Sequence, residues 1–272
     1  MYVRDRRPEN GVFRLTPLAG LLVLLAAAPG LAQTSQPAPE LITDRPDFTE
    51  SSEVVGRGVI QIESGLTFAQ PDPAVRLLTL PQLLVRIGLG SRVELRLGGD
   101  GFVSESLREA GGRHTTRGGA DIEVGAKVKL LDADRAGVAL ALIPSLSLPT
   151  ASAGFGSGGY DPGVKLTVAR DLPREVGLSA NFNTASVTRG DRRVWTREAS
   201  VSVAHAIAGP FGAYGEAYGA LRRGGCDCTL NTGLTLALGP NRQADVEVGH
   251  GVSGDARGWF VGLGFAVRRL AH

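Results

Sequence analysis

Apolar and polar residues alternate with a period of two along most of the chain. In residues 120–130, for example, Ile122, Val124 and Val128 share one parity, while charged residues occupy most positions of the other. About twelve segments between residues 58 and 269 follow this pattern. Successive side chains of a strand point to opposite faces, so each segment is typical of a strand with one apolar face. The sequence therefore predicts an all-β protein.

The links between these segments favour a membrane barrel over a soluble sandwich, which is the alternative. Short turns at residues 90–91 and 132–134 alternate with longer links, such as residues 103–117 and 150–162. An even number of antiparallel strands with short turns on one side and longer loops on the other is typical of outer-membrane barrels. Strands of about 9–14 residues cross the hydrocarbon core when tilted. We expect an antiparallel, up-and-down transmembrane β-barrel of about twelve strands over residues 58–272.

Residues 1–32 are predicted to be a secretory signal peptide. Four arginines precede an apolar run from Leu18 to Ala28, and the small residues Gly30 and Ala32 stand before the expected cleavage site. This run is shorter than the roughly 20 residues that a membrane-spanning helix needs. A buried core helix is the alternative, but a Pro-Gly pair follows the run at once. Residues 33–57 would then form a periplasmic N-terminal segment.

Composition and charge exclude several classes of protein. Glycine supplies 38 of the 272 residues, which disfavours a helical bundle because glycine destabilises helix interiors. Removal of residues 1–32 takes away four basic and two acidic residues, which leaves 25 of each. The mature chain is therefore neutral, and we expect no nucleic-acid partner, since such binding depends on excess positive charge.

Three stretches of the chain resemble one known family. They are Thr43-Asp44-Arg45-Pro46-Asp47-Phe48-Thr49-Glu50-Ser51 leading to Gln61-Ile62-Glu63-Ser64-Gly65, the strand end Ser147-Leu148-Pro149-Thr150, and the closing Gly258-Trp259-Phe260-Val261-Gly262-Leu263-Gly264. The chain is similar over residues 43–267 to the outer-membrane barrels of the MetA-pathway phenol-degradation family. This resemblance implies a location in the bacterial outer membrane, with membrane lipid and the barrel assembly machinery as partners. It also implies transport of small, often aromatic, solutes.

If the apolar parity faces lipid, the polar parity faces the barrel interior. The predicted inward residues, a candidate solute pathway, are Glu63, Glu94, Arg96, Asp100, Asp121, Glu123, Lys127, Lys129, Lys165, Glu198, Tyr214, Glu216, Tyr218, Asp245 and Glu247. Acids outnumber bases nine to four in this set, which favours cations over anions in an open pore. Alternatively, these side chains pair with one another in a static network that fills the interior.

The residues before the first predicted strand are candidates for a plug. Asp44, Arg45 and Asp47 flank Pro46 in this stretch. We hypothesise that the segment folds into the barrel mouth, with Arg45 paired to lumenal carboxylates and Pro46 keeping the backbone extended. A periplasmic latch or a flexible tether is the alternative.

The sequence offers little sign of catalysis or metal binding. Cys226 and Cys228 fall in a predicted loop; their spacing makes a disulfide awkward and zinc needs four ligands, so we expect little chemistry there. His205 and His250 lie on the lipid-facing parity, and no nucleophile motif accompanies them. We therefore expect no enzyme, cofactor or metal. The expected function is a transporter or channel, with a non-conducting structural or surface-interaction barrel as the alternative.

Overall fold

The computed structural model describes residues 41–270, so the predicted signal peptide lies outside the described residues. The described chain forms fourteen strands and one short helix, α1, at Ala133–Ala136. The strands are β1 Val59–Asp72, β2 Val75–Gly88, β3 Val93–Gly99, β4 Phe102–Glu109, β5 Gly112–Gly119, β6 Ile122–Leu131, β7 Ala139–Leu148, β8 Asp161–Leu172, β9 Val176–Arg189, β10 Arg192–Ala208, β11 Phe211–Arg222, β12 Gly225–Ala237, β13 Arg242–Gly251 and β14 Trp259–Leu270. Within residues 41–270, no helix is long and apolar enough to cross a membrane.

The strands close into one antiparallel barrel because β1 pairs with β14 as well as with β2. Val59 lies opposite Leu270, and Gln70 lies opposite Trp259, with no register shift between these two pairs. Closure leaves no unpaired strand edge around the membrane-spanning wall, so the backbone N–H and C=O groups there are satisfied without water. Among the described strands, β5 alone pairs with a single neighbour, β4. The predicted all-β, up-and-down barrel is confirmed.

The fourteen strands make twelve crossings of the barrel wall. β3 and β4 are two halves of one crossing, interrupted at residues 100–101, and β5 and β6 are interrupted in the same way at residues 120–121. β2 pairs with β3 and with β4, while β6 pairs with β3 and β5 pairs with β4. Each break divides one crossing into two strands, so the fourteen strands correspond to the twelve crossings that the sequence pattern predicted.

A bulge in β2 lies beside the first break. The pairing between β1 and β2 passes from Gly65–Gln82 to Thr67–Thr79, so β2 has one more residue than β1 at this place. Pro81 lies within the extra stretch, where its missing N–H costs the ladder no hydrogen bond. The bulge therefore accommodates a proline inside a paired strand.

The barrel wall is polar inside and apolar outside. Among residues 41–270, twenty polar or charged residues are buried, against six apolar ones. We call the exposed apolar residues of the outer surface the belt; it includes Ile60, Leu66, Leu78, Leu95, Leu97, Phe102, Phe182, Val201, Val203, Leu230, Leu234, Val246, Val248, Leu263 and Phe265. So large an apolar surface is stable in hydrocarbon and not in water. The closed sheet and its apolar outer surface are those of a membrane-spanning β-barrel.

One predicted loop is wrong, since residues 103–117 form most of a hairpin. β4 and β5 pair from Phe102–Gly119 to Glu109–Gly112, with a turn at residues 110–111. The hairpin extends past the belt, where neither face of a strand meets the hydrocarbon core. No face needs to be apolar there, so the alternation that signals a strand disappears while the backbone still pairs.

The expectation for Cys226 and Cys228 is also wrong. Both residues lie in β12 and form a disulfide, with their Cα atoms 5.3 Å apart. Two residues apart in a strand, the side chains share one face. Their Cα separation lies within the usual range for disulfides, about 4.4–6.8 Å. Reasoning from spacing alone missed this because it treated the pair as part of a loop.

Candidate functional site in the barrel lumen

Residues 41–57, which we call the lumenal segment, lie inside the barrel. Near its start, Gln243 Nε2 donates to Thr43 Oγ1 over 3.0 Å. Past its end, Gly58 N donates to Gly88 O over 3.0 Å. Its middle reaches across the lumen, where Phe48 stacks on Tyr218 of β11 with ring centroids 4.5 Å apart. Both ends therefore lie at the barrel end where β1 begins, which we assign to the periplasm.

Asp44 joins the lumenal segment to four strands of the wall. Its carboxylate accepts hydrogen bonds from Lys127 Nζ of β6 at 2.8 and 2.9 Å and from Arg96 Nη1 of β3 at 2.5 Å. Arg86 Nη1 of β2 lies 3.3 Å from the same carboxylate, and the Asp44 backbone N donates to Glu63 of β1 over 2.9 Å. Burial raises the pKa of Asp44, but the charges of Arg86, Lys127 and Arg96 outweigh it and hold this pKa well below its ordinary value.

Eight charged side chains form what we call the ion-pair cluster. Its members are Asp44, Glu50, Glu63, Arg86, Glu94, Arg96, Lys127 and Lys165. Arg86 binds Glu94 through two nitrogens, at 2.8 and 3.0 Å, and Glu63 through a third at 3.2 Å. The Arg86 side chain is 1% exposed and that of Glu94 is 0% exposed. Four carboxylates thus neutralise four cations, as burial of charge requires.

Glu50 attaches the cluster to the opposite side of the wall. Its carboxylate accepts from Lys165 Nζ of β8 at 2.5 Å and from Arg96 Nη2 at 2.6 Å. Burial raises the pKa of Glu50, but the charges of Arg96 and Lys165 lower it to about 2. Next to it, the Ser52 and Thr167 hydroxyls lie 3.0 Å apart. The segment is therefore held by contacts from β1 to β8, and its own carboxylates Asp44 and Glu50 stay ionised at neutral pH.

A second group of charges, which we call the acidic group, consists of Asp47, Glu216, Asp245 and Glu247. The Glu216 carboxylate accepts from the backbone N–H groups of Phe48 at 2.9 Å and Thr49 at 2.6 Å. Arg45 Nη2 lies 3.6 Å from Asp245 Oδ1. Burial and then the charge of Glu216 raise the pKa of Asp47 well above its ordinary value. The segment thus meets β11 and β13 with carboxylates in excess.

Two glycines make space for Arg45. Gly65 of β1 and Gly264 of β14 are register partners, and a Cβ on either one would overlap the Arg45 guanidinium. Arg45 Nη1 reaches Gln82 Oε1 at 3.4 Å, while Nε and Nη2 have no hydrogen-bond partner among the described residues. Steric space and the charge of Asp245 therefore position Arg45 more than hydrogen bonds do.

The structure divides the predicted inward residues by location. The ion-pair cluster contains five of them: Glu63, Glu94, Arg96, Lys127 and Lys165. The acidic group contains Glu216, Asp245 and Glu247; beside it Tyr214 donates to Glu247 over 3.3 Å and Tyr218 stacks on Phe48. Lys129 pairs with Glu53 at 2.5 Å, whereas Asp100 and Glu123 are exposed and Glu198 is half-buried. Asp121 has a different position. It accepts from the backbone N–H groups of Thr150, Ala151 and Ser157 at 2.9–3.1 Å and so anchors the loop over residues 149–160.

Sequence reasoning missed Arg86 and Glu50, two central members of the cluster. Pro81 interrupts the alternation of β2, which concealed the parity of the residues after it. From Gln82 onward, Gln82, Leu84 and Arg86 share one face, and this short run was the available signal. Glu50 lies in irregular backbone, where no periodicity indicates which way a side chain points.

Among the described residues, two cavities lie against the lumenal segment. The first has a volume of about 710 Å³ and lies towards the periplasmic end, beside Thr43, Tyr214 and Gln243. The second, of about 370 Å³, lies beside Tyr218 and Phe260. Arg45, Pro46 and Asp47 line both cavities and so form the partition between them. In the described part of the chain, no cluster of three or more His, Cys, Asp or Glu side chains could hold a metal ion.

Comparison with known proteins places the chain in a family. Residues 43–269 match the sequence model of the family described as "Putative MetA-pathway of phenol degradation". The chain belongs to this family. The resemblance inferred from the residues is therefore confirmed, over 227 of the 272 positions. No curated protein matches the sequence.

Solved structures share the fold of this family member. An outer-membrane channel from Pseudomonas putida F1 has a TM-score of 0.58 and 12% sequence identity, and the match covers 80% of this chain and 98% of that one. The KdgM porin in complex with disordered oligogalacturonate has a TM-score of 0.52 and 12% identity, with 76% of this chain and 98% of that one covered. At sequence identities this low, the two matches show a shared barrel fold and nothing more.

Arg86→Met should destabilise the barrel, because Glu63, Glu94 and Asp44 would lose a shared cation inside the lumen. The expected cost is about 3–5 kcal/mol in the free energy of unfolding, measured by urea titration in detergent micelles. Arg92→Met is the matched control: Arg92 is 50% exposed in its pair with Asp132, so its loss should cost less than about 1 kcal/mol. Equal costs for the two variants would contradict the role assigned to Arg86.

Asp47→Asn should remove a pH dependence from docking of the lumenal segment. The pKa of Asp47 is raised in the docked state, so its contribution to docking is complete at low pH and is lost as pH rises through the raised pKa. The pKa values of Asp44 and Glu50 are lowered, so both groups stay ionised between pH 5 and 8 and add no dependence there.

The measurement is hydrogen–deuterium exchange of residues 41–57, compared between variants at the same pH so that intrinsic exchange rates cancel. Wild type should exchange faster than Asp47→Asn at pH 8, and the difference should be smaller at pH 5, because the contribution of Asp47 is complete only below the ordinary pKa of an aspartate, about 3.9. Asp134→Asn, at an exposed site in α1, should behave as wild type. Faster exchange of Asp47→Asn than of wild type at pH 8 would refute the argument.

Proposed function

We propose that this protein is an outer-membrane channel for small aromatic or hydrophobic solutes, and that the lumenal segment closes it. One observation carries the proposal: Arg45, Pro46 and Asp47 separate two cavities that otherwise lie in line along the barrel. Displacement of this partition joins the cavities of about 370 and 710 Å³ into one path. The family description names phenol degradation and supports an aromatic solute, while the barrel fold shared with an outer-membrane channel supports transport.

The lining of the smaller cavity supports the class of solute. Phe48, Tyr218 and Phe260 offer aromatic surface, and Asn231 and Glu247 offer polar groups beside it. Small-molecule sites commonly combine an apolar wall with a few polar groups that orient the ligand. Planar aromatic molecules gain additional energy from offset or edge-to-face contact with such rings. A small hydroxylated or otherwise polar aromatic solute fits this lining.

The two sides of the lumenal segment differ in how firmly they are held. On the side of the ion-pair cluster, balanced charges bind Asp44 and Glu50 to β2, β3, β6 and β8. On the side of the acidic group, Asp47 and Glu216 repel each other once both are ionised. We infer that the segment opens as a flap, releasing first from β11 and β13 while the cluster holds its base.

The proposal includes the route to the membrane. Residues 1–32 act as the signal peptide and residues 33–57 as the periplasmic N-terminal segment, of which residues 41–57 enter the lumen. The barrel assembly machinery inserts the chain, and outer-membrane lipid surrounds the belt. The predicted absence of enzymatic activity belongs to the same proposal.

One observation favours the second candidate, a non-conducting structural barrel. The ion-pair cluster is neutral and almost fully buried, with Lys127, Glu63 and Glu94 at 0% exposure. Separation of these ion pairs requires water to enter the lumen and solvate every charge. A barrel whose segment never leaves would serve only through its outer surface and loops.

A reversible cross-link distinguishes the two candidates. Thr49 Oγ1 and Ser200 Oγ lie 2.8 Å apart, so cysteines at these positions can bond the segment to β10. In planar bilayers, wild type should show openings, Thr49→Cys/Ser200→Cys should show fewer when oxidised, and reduction should restore them. Deletion of residues 34–51 should raise single-channel conductance above that of wild type. Unchanged conductance on deletion would eliminate the plug, and a wild type without openings would favour the structural barrel.

The open pore should select cations. Arg86 raises the count of inward bases on the wall to five, still below the nine predicted acids. With residues 34–51 deleted, the reversal potential in a KCl gradient should therefore have the sign of a K⁺-selective pore. Glu216→Gln/Glu247→Gln in the same background should shift the potential towards zero. An anion-selective potential would exclude this assignment of the wall.

A further inference from the structure

Four arginines share the outward face of the hairpin formed by β4 and β5 and of the adjacent end of β2. They are Arg76, Arg108, Arg113 and Arg117, and all four are exposed. Pairing fixes their common face, since Arg76 lies opposite Ser106, which lies opposite Thr115, and the Ser106 and Thr115 hydroxyls are 2.8 Å apart. Arg117 lies opposite Ser104, two residues along from Ser106. We call this set the arginine face.

The arginine face begins directly where the belt ends. Leu78 lies opposite Ser104, and Ser104 lies opposite Arg117, in one row across three strands. One row nearer the membrane centre, Leu80 lies opposite Phe102. Leu78 and Phe102 are exposed members of the belt. The guanidinium groups therefore stand at the height where lipid headgroups meet the outer leaflet's acyl chains.

The positive charge of the arginine face is not neutralised by side chains of residues 41–270. Arg108 lies directly opposite Arg113, an arrangement in which like charges destabilise a strand pair. None of the four arginines takes part in an ion pair or side-chain hydrogen bond within residues 41–270. The acidic residues of the hairpin, Glu105 and Glu109, have the opposite parity and face the other way. An anion from outside would relieve this repulsion.

We propose that the arginine face binds the phosphate groups of the glycolipid in the outer leaflet. Guanidinium groups form paired, charge-assisted hydrogen bonds with phosphate, and four of them here span two strands and the end of a third. Basic clusters beside an apolar membrane-embedded surface recognise anionic lipid headgroups in the same manner. The hydroxyls of Ser104, Ser106 and Thr115 lie between the arginines, where they can bond sugar or phosphate oxygens. The acyl chains then lie on Leu78, Leu80 and Phe102.

This site is independent of the proposed channel. The arginine face is on the outer surface, whereas the lumenal segment and both cavities are inside the barrel. Glycolipid binding there would brace the hairpin, which extends past the membrane. Its loss should leave conductance unchanged.

The test compares two variants that each remove four positive charges. Arg76→Gln/Arg108→Gln/Arg113→Gln/Arg117→Gln removes the arginine face. Arg57→Gln/Arg135→Gln/Arg170→Gln/Arg174→Gln is the matched control, because these four arginines are exposed at the periplasmic end. The full-length protein and its variants are purified from the outer membrane, and the resistance of each barrel to unfolding by detergent on gels confirms that it has folded. Binding of rough lipopolysaccharide and of its dephosphorylated form is then measured by titration in detergent, with EDTA present to exclude bridging divalent cations.

Wild type and the control should bind phosphorylated lipopolysaccharide at least about tenfold more tightly than the dephosphorylated form. The variant without the arginine face should bind both forms equally and weakly. Equal binding of the two forms by wild type would overturn the proposal, as would undiminished preference in the arginine-face variant. A similar loss in the control would show a general charge effect in place of a site.

Discussion

The need to satisfy every backbone hydrogen bond in hydrocarbon underlies the whole structure. Since lipid offers no partner for an N–H or C=O group, the sheet has to close, and β1 therefore pairs with β14 over Val59–Gln70. Closure divides the side chains into an outer set that meets lipid and an inner set that does not. The alternation of the sequence follows from this division, and so does the concentration of buried charge inside.

Charge inside a closed barrel has to be balanced, and the lumenal segment supplies part of the balance. Lys127 and Arg96 project from the wall, and Asp44 and Glu50 arrive from the segment to pair with them. Across the lumen the balance is incomplete, because Asp47 adds a carboxylate beside Glu216. The same segment therefore meets balanced charges on one side and an excess of carboxylates on the other. This asymmetry makes opening from one side physically reasonable.

Outside the barrel, the surrounding lipid again decides which residues are stable at each position. Apolar residues are stable on the belt because lipid surrounds them, and charges accumulate where the belt ends. Arg108 and Arg113 lie opposite each other where β4 and β5 pair, and their repulsion lowers stability unless an anion lies between them. The wall alone thus leaves unbalanced charge on both surfaces, with excess carboxylates inside the barrel and the arginine face outside.

The sequence by itself determined the barrel, the belt and the parity of Glu63, Glu94, Lys127 and Asp245, because a period of two is a local property of strands. It did not determine the role of Arg86, whose parity lay behind the bulge at Pro81, or the hairpin of β4 and β5, whose two faces are both polar. Only the tertiary structure decided which charges meet. Asp44 lies 83 residues from Lys127 and 52 from Arg96, and closure of the barrel is what brings them within 3 Å. No local pattern records such a contact, since it depends on the register of every strand between them.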